Sequence, residues 1–248
     1  MIEAILGLTM SASISIAGAN FTNNLSDSLN YSNYSIITEK RDASDFKTIK
    51  VSSDVNVEIR TAEDFSITLD GTPEAVANIE TEIENRALDI RAIKNLNGKT
   101  NNEVKVTVNV PQDMLEEVTV TAAGTVACYD KIRAFDFTVK TNNGGSVSFT
   151  DIEVENEFVA ILSGGSTIEF KGTAPTSKIL VNGSGWVNCS DLSTTTTEVT
   201  VNGNGKAEVK AGDEILATVV DGGRIEYFGT PKTLLKSCNG GIIKQKED

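Results

Sequence analysis

Five residues near the C-terminal end of the chain have the types and spacing of a saccharide site. Trp186, Lys206 and Arg224 follow one another at intervals of 20 and 18 residues, and Glu208 and Glu226 stand two positions after the last two. If each interval is one turn of a repeating structure, these side chains stack. An indole can pack on a sugar ring, and paired carboxylates serve glycoside hydrolysis. A solvated face of cross-strand ion pairs, each contributing little stability, fits the same pattern.

The composition limits other chemistry. The chain has no histidine, which is the commonest general base near neutral pH and the commonest zinc ligand. Its three cysteines, Cys128, Cys189 and Cys238, form no CxxC pair, so the sequence predicts no metal site, no cofactor and no redox motif. We expect three reduced, mostly buried thiols that pack as small apolar side chains.

The charge balance limits the partners. Lysine and arginine total 22 against 35 aspartate and glutamate residues, giving a formal net charge of −13. Such a surface repels nucleic acid and anionic lipid headgroups. We therefore expect no nucleic-acid partner, and membrane association only through export or an anchor. The acidic cluster Glu153, Glu155 and Glu157 is interpreted as a charged strand edge, with weak cation binding as the alternative.

Glycine bends recur through the second half of the chain. Successive gaps between the last glycines of the bends are 21, 20, 20, 20, 18 and 18 residues. These glycines are Gly124, Gly145, Gly165, Gly185, Gly205, Gly223 and Gly241. Apolar and polar residues alternate on both sides of each bend, which predicts strands and argues against stacked helices. A fixed period of this size is typical of a solenoid.

The alternation also predicts which side chains point into the core. Residues six and four positions before these glycines form one inward ladder, and Val159 and Ile161 are its members before Gly165. The last bend, with Leu235 and Ser237 before Gly241, fits this pattern worst. Residues two and four positions after each glycine form a second ladder. After Gly165, however, Ile168 and Phe170 come one position late. We therefore expect one extra residue there, as in a β-bulge.

These patterns predict an all-β fold. A parallel β-solenoid with coils of about 18–21 residues spans 116–243, preceded by a smaller strand-rich part over 46–111, and together they form one domain. In the smaller part, alternation predicts strands near residues 49–51, 55–59, 65–69, 87–93 and 103–110. Pro73 is expected to open a short helix within 73–85, with Val76, Ile79 and Ile83 on one face.

The two ends of the chain have signals of their own. Residues 4–19 carry no charge and end in Ala-Gly-Ala, which fits a signal-peptidase site, although the basic start is missing. Residues 1–19 are therefore predicted as an irregular signal peptide, with a mildly apolar leader as the alternative. Residues 20–45 are rich in Asn and Ser and predict a flexible linker. The charged tail 244–248 is expected to shield the last coil from edge pairing.

The glycine-punctuated C-terminal blocks resemble a bacterial family. Residues 222–232, GGRIEYFGTPK, resemble a GGxIxYxGxPK-like element of the head GIN domain of autotransporter adhesins, and residues 46–71 are similar to that family's N-terminal block. The resemblance covers about 46–243. It implies a β-solenoid of parallel strands in an exported cell-envelope protein. It implies no catalytic residue.

Three functional hypotheses follow from these observations. The first is an exported, non-enzymatic solenoid for cell-surface or envelope interaction, located in the periplasm, the outer membrane or at the surface of a bacterium. Its partner would be a surface glycan or a protein, and a homo-oligomer with coils packed side by side is a further option. The alternative is a carbohydrate-active enzyme, a polysaccharide lyase or hydrolase. An intracellular scaffold is a third hypothesis if residues 1–19 are retained.

Overall fold

The computed structural model describes residues 36–94 and 104–247. The predicted signal peptide and residues 20–35 of the predicted linker lie outside these ranges. The strands, in chain order, are β1 (Ile37–Arg41), β2 (Thr48–Val51), β3 (Asn56–Thr61), β4 (Ser66–Gly71), β5 (Ile79–Glu84), β6 (Ala87–Ala92), β7 (Lys105–Val110), β8 (Glu117–Val120), β9 (Thr125–Cys128), β10 (Ile132–Thr141), β11 (Ser146–Gly164), β12 (Thr167–Gly183), β13 (Trp186–Asn202), β14 (Lys206–Val220), β15 (Arg224–Phe228), β16 (Thr233–Asn239) and β17 (Ile242–Gln245). The described helix α1 (Pro73–Ala77) follows β4.

Parallel stacking of these strands confirms the predicted β-solenoid. β10 pairs in parallel with β11, β11 with β12, β12 with β13, and β13 with β14. Each long strand bends around a corner, where its register shifts, and so contributes to more than one side of a coil. Equivalent side chains therefore lie in columns, as where Ile168 is aligned with Val147 on one side and Val187 on the other. All three are fully buried, so this column is part of the core.

The strand-rich N-terminal part belongs to the same solenoid, in an order that does not follow the chain. β2 lies between β6 and β8, and β3 lies between β7 and β9, with all four pairings parallel. The β2–β3 coil, which comes first in the chain, therefore lies between the β6–β7 coil and the β8–β9 coil. The chain crosses from one side of β2–β3 to the other between β7 and β8. Antiparallel strands β1, β4 and β5 close the β6–β7 end.

The predicted helix after Pro73 is shorter than expected. The Thr72 side chain accepts a hydrogen bond from the Ala75 amide and caps α1, which ends at Ala77. Residues 79–84 instead form β5, antiparallel to β6. Apolar residues four positions apart fit a helix face and also a strand face with a period of two, and sheet pairing decides between them. Among the described residues no helix has the length and apolarity to cross a membrane.

Two predicted boundaries also move. The predicted linker contains β1, which pairs antiparallel with β4 through registers such as Glu39 beside Leu69. At the other end, β17 extends to Gln245, so Lys244 and Gln245 form part of the last strand and not of a tail. In the part of the chain that the structure describes, β16 pairs only with β14, and β17 only with β15.

The prediction that Val159 and Ile161 point inward is wrong. Thr167 is aligned with Ser146 and Trp186, so Ser166, and not Gly165, occupies the same column as Gly145 and Gly185. Counting from Ser166 moves the inward positions to Ala160 and Leu162, which are fully buried. The expected bulge at this bend is also wrong. Gly164, before the bend, is aligned with Gly183, and Thr167, after the bend, is aligned with Trp186. The offset between aligned residues is the same in both pairs, so the bend contains no extra residue.

The glycines of a bend serve two different purposes. Gly203 has a φ of +104°, a backbone conformation that L side chains rarely adopt. The second glycine is required for space: a Cβ on Gly205 would lie 2.6 Å from Val181 Cγ1, and one on Gly223 would lie 2.5 Å from Val201 Cγ1. Each coil therefore passes directly over the last inward valine of an earlier coil, and a larger residue would push the coils apart.

The cysteines are all free, but only two are buried. Cys128 and Cys189 face the core, whereas Cys238 in the last coil is exposed, contrary to the expectation for that residue. Cys238 is aligned with the inward Val219, but no further coil covers it within the described chain. Burial raises the pKa of the Cys128 thiol to about 12, so this thiol stays protonated and packs as an apolar group.

Candidate functional site

The structure brings the five predicted site residues together on one outward face. Trp186 is aligned with Lys206, and Lys206 with Arg224. Glu208 is aligned with Glu226 in the neighbouring outward column. This placement follows from strand geometry, because successive side chains of a strand point to opposite faces. The residues between them, including Val187 and Ala207, are fully buried, so their neighbours must face outward.

Direct contacts join the Trp186 indole, Glu208 and Lys206. Trp186 donates a hydrogen bond from Nε1 to Glu208 Oε2 over 2.9 Å. Lys206 Nζ lies 2.8 Å from the other oxygen of Glu208 and 3.0 Å from Glu226 Oε2. Trp186 as a whole residue is 37% exposed. The indole is thus oriented by the protein and remains accessible to a ligand.

Glu226 lies at the centre of the site. It is only 3% exposed, and four cations approach its carboxylate: Lys206 and Lys244 at 3.0 Å, Arg224 at 3.3 Å and Lys246 at 3.8 Å. Burial alone would raise the pKa of Glu226, but hydrogen bonds and charge from Lys206 and Lys244 outweigh it and lower the pKa to about 2. Glu226 is therefore ionised at every physiological pH.

Lys244 and Lys246 are not among the predicted site residues, because the sequence predicts both as part of the charged tail 244–248. The repeat contained the signal for one of them. Glu226 is aligned with Lys244, 18 residues later, and Arg224 with Ile242. Extending the outward columns by one more period would have placed Lys244 beside Glu226.

A second ion cluster, also missed, lies on the same side of the solenoid near its other end. Glu58 forms ion pairs with Arg60 and with Lys105. The hydrogen bond from Lys105 is the largest effect on Glu58 and lowers its pKa despite partial burial. A shallow groove of about 310 Å³ adjoins this cluster and is lined by Ala127 and the largely exposed Tyr129, among others.

The acidic residues proposed as a weak cation site form ion pairs with lysines. Glu153 lies 2.6 Å from Lys131, and Glu157 lies 2.8 Å from Lys178. The lysine hydrogen bond is the main cause of a lowered pKa at Glu153. Across residues 36–94 and 104–247, no three His, Cys, Asp or Glu side chains come together as metal ligands.

The fold and the outward columns of charge define a parallel β-solenoid with a polar, ion-paired face. A family model described as "Putative auto-transporter adhesin, head GIN domain" matches residues 45–231. The chain belongs to this family. This finding confirms the resemblance that the C-terminal glycine blocks indicated.

Solved structures from Bacteroides and Parabacteroides share the fold. A protein of Bacteroides fragilis named a "putative adhesin" is 19% identical, with a TM-score of 0.79 over 86% of this chain and 97% of that one. Two proteins of Parabacteroides distasonis, named a "putative lipid binding protein" and a "putative adhesin", are 20% and 19% identical. Their TM-scores are 0.66 and 0.67, each over 86% of this chain and 98% of the other. These likenesses concern the fold alone. No protein of curated function matches the chain.

Proposed function

We propose that this protein is an exported, non-enzymatic, adhesin-like β-solenoid that binds a partner at the bacterial surface or envelope through the face around Trp186. Membership of a family described as adhesin heads supports the general class. The carrying observation is the state of the site: an accessible indole is held beside carboxylates that form ion pairs with lysine and arginine. Such a face is suited to recognition.

The state of Glu226 supports the non-enzymatic class over glycoside hydrolysis. A carboxylate pair that cleaves a glycosidic bond needs one member protonated as the general acid, which requires a raised pKa. The pKa of Glu226 is instead lowered to about 2. Glu208 accepts a hydrogen bond from Trp186 and forms an ion pair with Lys206. Glu226 therefore acts here as a fixed negative charge that holds the surrounding cations in place.

Binding to surface glycans tests this proposal. Wild-type protein should bind at least one member of an array of acidic and neutral bacterial polysaccharides. Trp186→Ala should weaken that binding about tenfold or more, since a central tryptophan often contributes over 1.4 kcal/mol to a binding free energy. Phe135→Ala is the matched control, because Phe135 is another exposed aromatic, on a different strand. Equal binding by wild type and Trp186→Ala would contradict the proposed face.

Turnover assays test the enzyme alternative. The same polysaccharides are incubated with the protein, and new reducing ends and unsaturated ends are measured. We expect neither product. Release of products that disappears in Glu208→Gln or Glu226→Gln would establish catalysis by this face and would overturn the proposal.

Export is tested on the native protein. Mass spectrometry of protein isolated from its own cells should find an N-terminus processed after the Ala-Gly-Ala segment, near residue 19. An intact Met1 in the mature protein would argue against export and for an intracellular scaffold.

A further inference from the structure

The cations around Glu226 outnumber the carboxylates that they contact. We define the cation cluster as Lys206, Arg224, Lys244 and Lys246, each within 3.8 Å of Glu226. Within the described residues, Glu208 and Glu226 are the carboxylates that form ion pairs with the cluster, so these six groups carry an excess of two positive charges. The whole chain has a net charge of −13, so positive charge is concentrated here against the overall balance. Such a local potential attracts anions.

The cluster is preorganised for a second anion. The buried Glu226 carboxylate holds the four cationic groups in one place, which reduces the side-chain entropy that a ligand would otherwise have to remove. Each cation keeps 37–44% of its side-chain surface exposed. The inner side of the cluster thus contacts Glu226, and its outer side remains available to solvent or to a ligand carboxylate or sulfate.

The Trp186 indole offers a sugar ring a stacking surface beside the cation cluster. Trp186 lies one strand from Lys206 and two from Arg224, or about 5 and 10 Å at the usual strand spacing. A sugar stacked on the indole would therefore place a substituent, or the next sugar, over the cations. A groove of about 490 Å³ continues from Lys246 along Gln245 and Gly229, and Thr230 and Glu247 also line it. It offers space for further units of an oligosaccharide.

From this arrangement we propose that the Trp186 face and the cation cluster together form a binding site for an anionic saccharide, such as a uronate-containing or sulfated glycan. The inference rests on the proposed function and specifies its ligand class. An isolated acidic saccharide is favoured over an anionic membrane, because a continuous anionic surface would also meet the net negative charge of the rest of the molecule. In addition, the preceding strand presents polar residues on this face. Thr167 is aligned with Trp186, and Glu169 is aligned with Asn188.

The experiment uses tetragalacturonate as the probe and its uncharged methyl ester as the matched ligand. Trp186 is the only tryptophan of the chain, so its fluorescence reports binding at this face, and calorimetry measures the affinity. We expect tetragalacturonate to bind about tenfold or more tightly than the ester, since charge-assisted hydrogen bonds are the stronger kind. Its binding should weaken as salt screens the charges.

Variants assign the binding to the cluster. Arg224→Gln and Lys246→Gln should each weaken tetragalacturonate binding about three- to tenfold. Lys171→Gln is the control, because Lys171 is a half-exposed lysine outside the cluster, paired with Asp191 at 3.2 Å. Glu208→Gln should tighten binding, because it removes a negative charge while its amide oxygen can still accept the Trp186 hydrogen bond. A ligand attracted to the carboxylates would respond in the opposite direction.

Three outcomes would overturn the inference. The first is equal or absent binding of the acid and the ester. The second is weaker binding of the acid by Glu208→Gln. The third is Arg224-dependent binding of phosphatidylglycerol vesicles without binding of tetragalacturonate, which would assign the cluster to a lipid headgroup. If a neutral glycan still binds through Trp186, the proposed function survives and only the anionic ligand class is wrong.

Discussion

Thr141 is a polar residue in a column that other coils fill with apolar side chains. It is aligned with Val120 on one side and Leu162 on the other, and it is 3% exposed. Its hydroxyl is the one buried side-chain polar atom without a hydrogen-bond partner in the part of the chain that the structure describes. A buried, unpaired hydroxyl lowers the stability of the folded state.

We predict that Thr141→Val raises the free energy of unfolding by about 1 kcal/mol, because valine keeps the shape and removes the unpaired hydroxyl. Urea denaturation at neutral pH measures the change. Thr141→Ser is the control: it keeps the hydroxyl and loses a buried methyl group, and should be less stable than wild type. A Val variant no more stable than wild type would mean that the hydroxyl is satisfied in solution.

Glu226 predicts a specific acid sensitivity. Its pKa falls from an ordinary 4.5 to about 2 in the folded protein. The ionised carboxylate therefore stabilises the fold fully above about pH 4.5, and this contribution is lost as the pH falls toward 2. Between about pH 5 and 2.5, wild type should lose on the order of 2 kcal/mol more stability than Glu226→Gln. Parallel acid dependence of the two proteins, measured by denaturant midpoints, would contradict this role.

At the scale of elements, the last strands differ from the interior ones. The Asp221 amide donates a hydrogen bond to the Asn239 carbonyl over 2.8 Å, so the backbone groups of Asn239 point toward β14. Successive residues of a strand point their backbone groups to alternate sides, so the N–H and C=O of Lys236 point toward the open side of β16. Lys236 is aligned with the inward Ala217, and its ammonium group lies 4.8 Å from the centre of the Tyr227 ring. A charged residue at an inward position of an edge strand opposes pairing with another edge.

We predict that Lys236→Val makes the protein associate end to end, because the uncovered edge then presents an apolar inward face. Sedimentation at increasing protein concentration should show dimers or larger species. Lys236→Arg keeps the charge and should behave as wild type does. A Val variant whose oligomeric state matches that of wild type at every concentration would show that other features protect this edge.

At the scale of the whole molecule, the coil order joins the two predicted parts of the domain. β2 covers β8, and β3 covers β9. Val118, Val120 and Val126, on these covered strands, are all buried. The coils over 116–243 therefore depend on the strands before them. Each coil of a solenoid is stabilised by its neighbours, and a terminal coil requires a cap.

We predict that a fragment of residues 116–248 does not form a soluble monomer, because it exposes the edges of β8 and β9 and their apolar side chains. A fragment of residues 36–248 keeps those contacts and should unfold cooperatively. Size-exclusion chromatography and thermal circular dichroism compare the two. A monomeric 116–248 fragment with a cooperative transition would show that the solenoid coils fold independently.

Local periodicity explains why much of the fold could be predicted. In a solenoid the spatial neighbour of a residue is one coil away along the chain, so counting residues gives real contacts. Such counting predicts that Trp186, Lys206 and Arg224 share one column, and the structure aligns them. Counting was wrong at Val159 and Ile161 because three small residues, Gly164 to Ser166, form that bend. Composition does not show which of them lies over the earlier coil.

The sequence by itself determined the solenoid class, the inward and outward faces of most coils, and the alignment of the Trp186 face. Only the tertiary structure decided the position of β2–β3 between β6–β7 and β8–β9. It also decided that Lys244 and Lys246 meet a buried Glu226. The physical reason is the same in both cases. Alternation and period describe neighbouring coils, whereas crossovers and chain ends depend on pairings and charge contacts that no local repeat encodes.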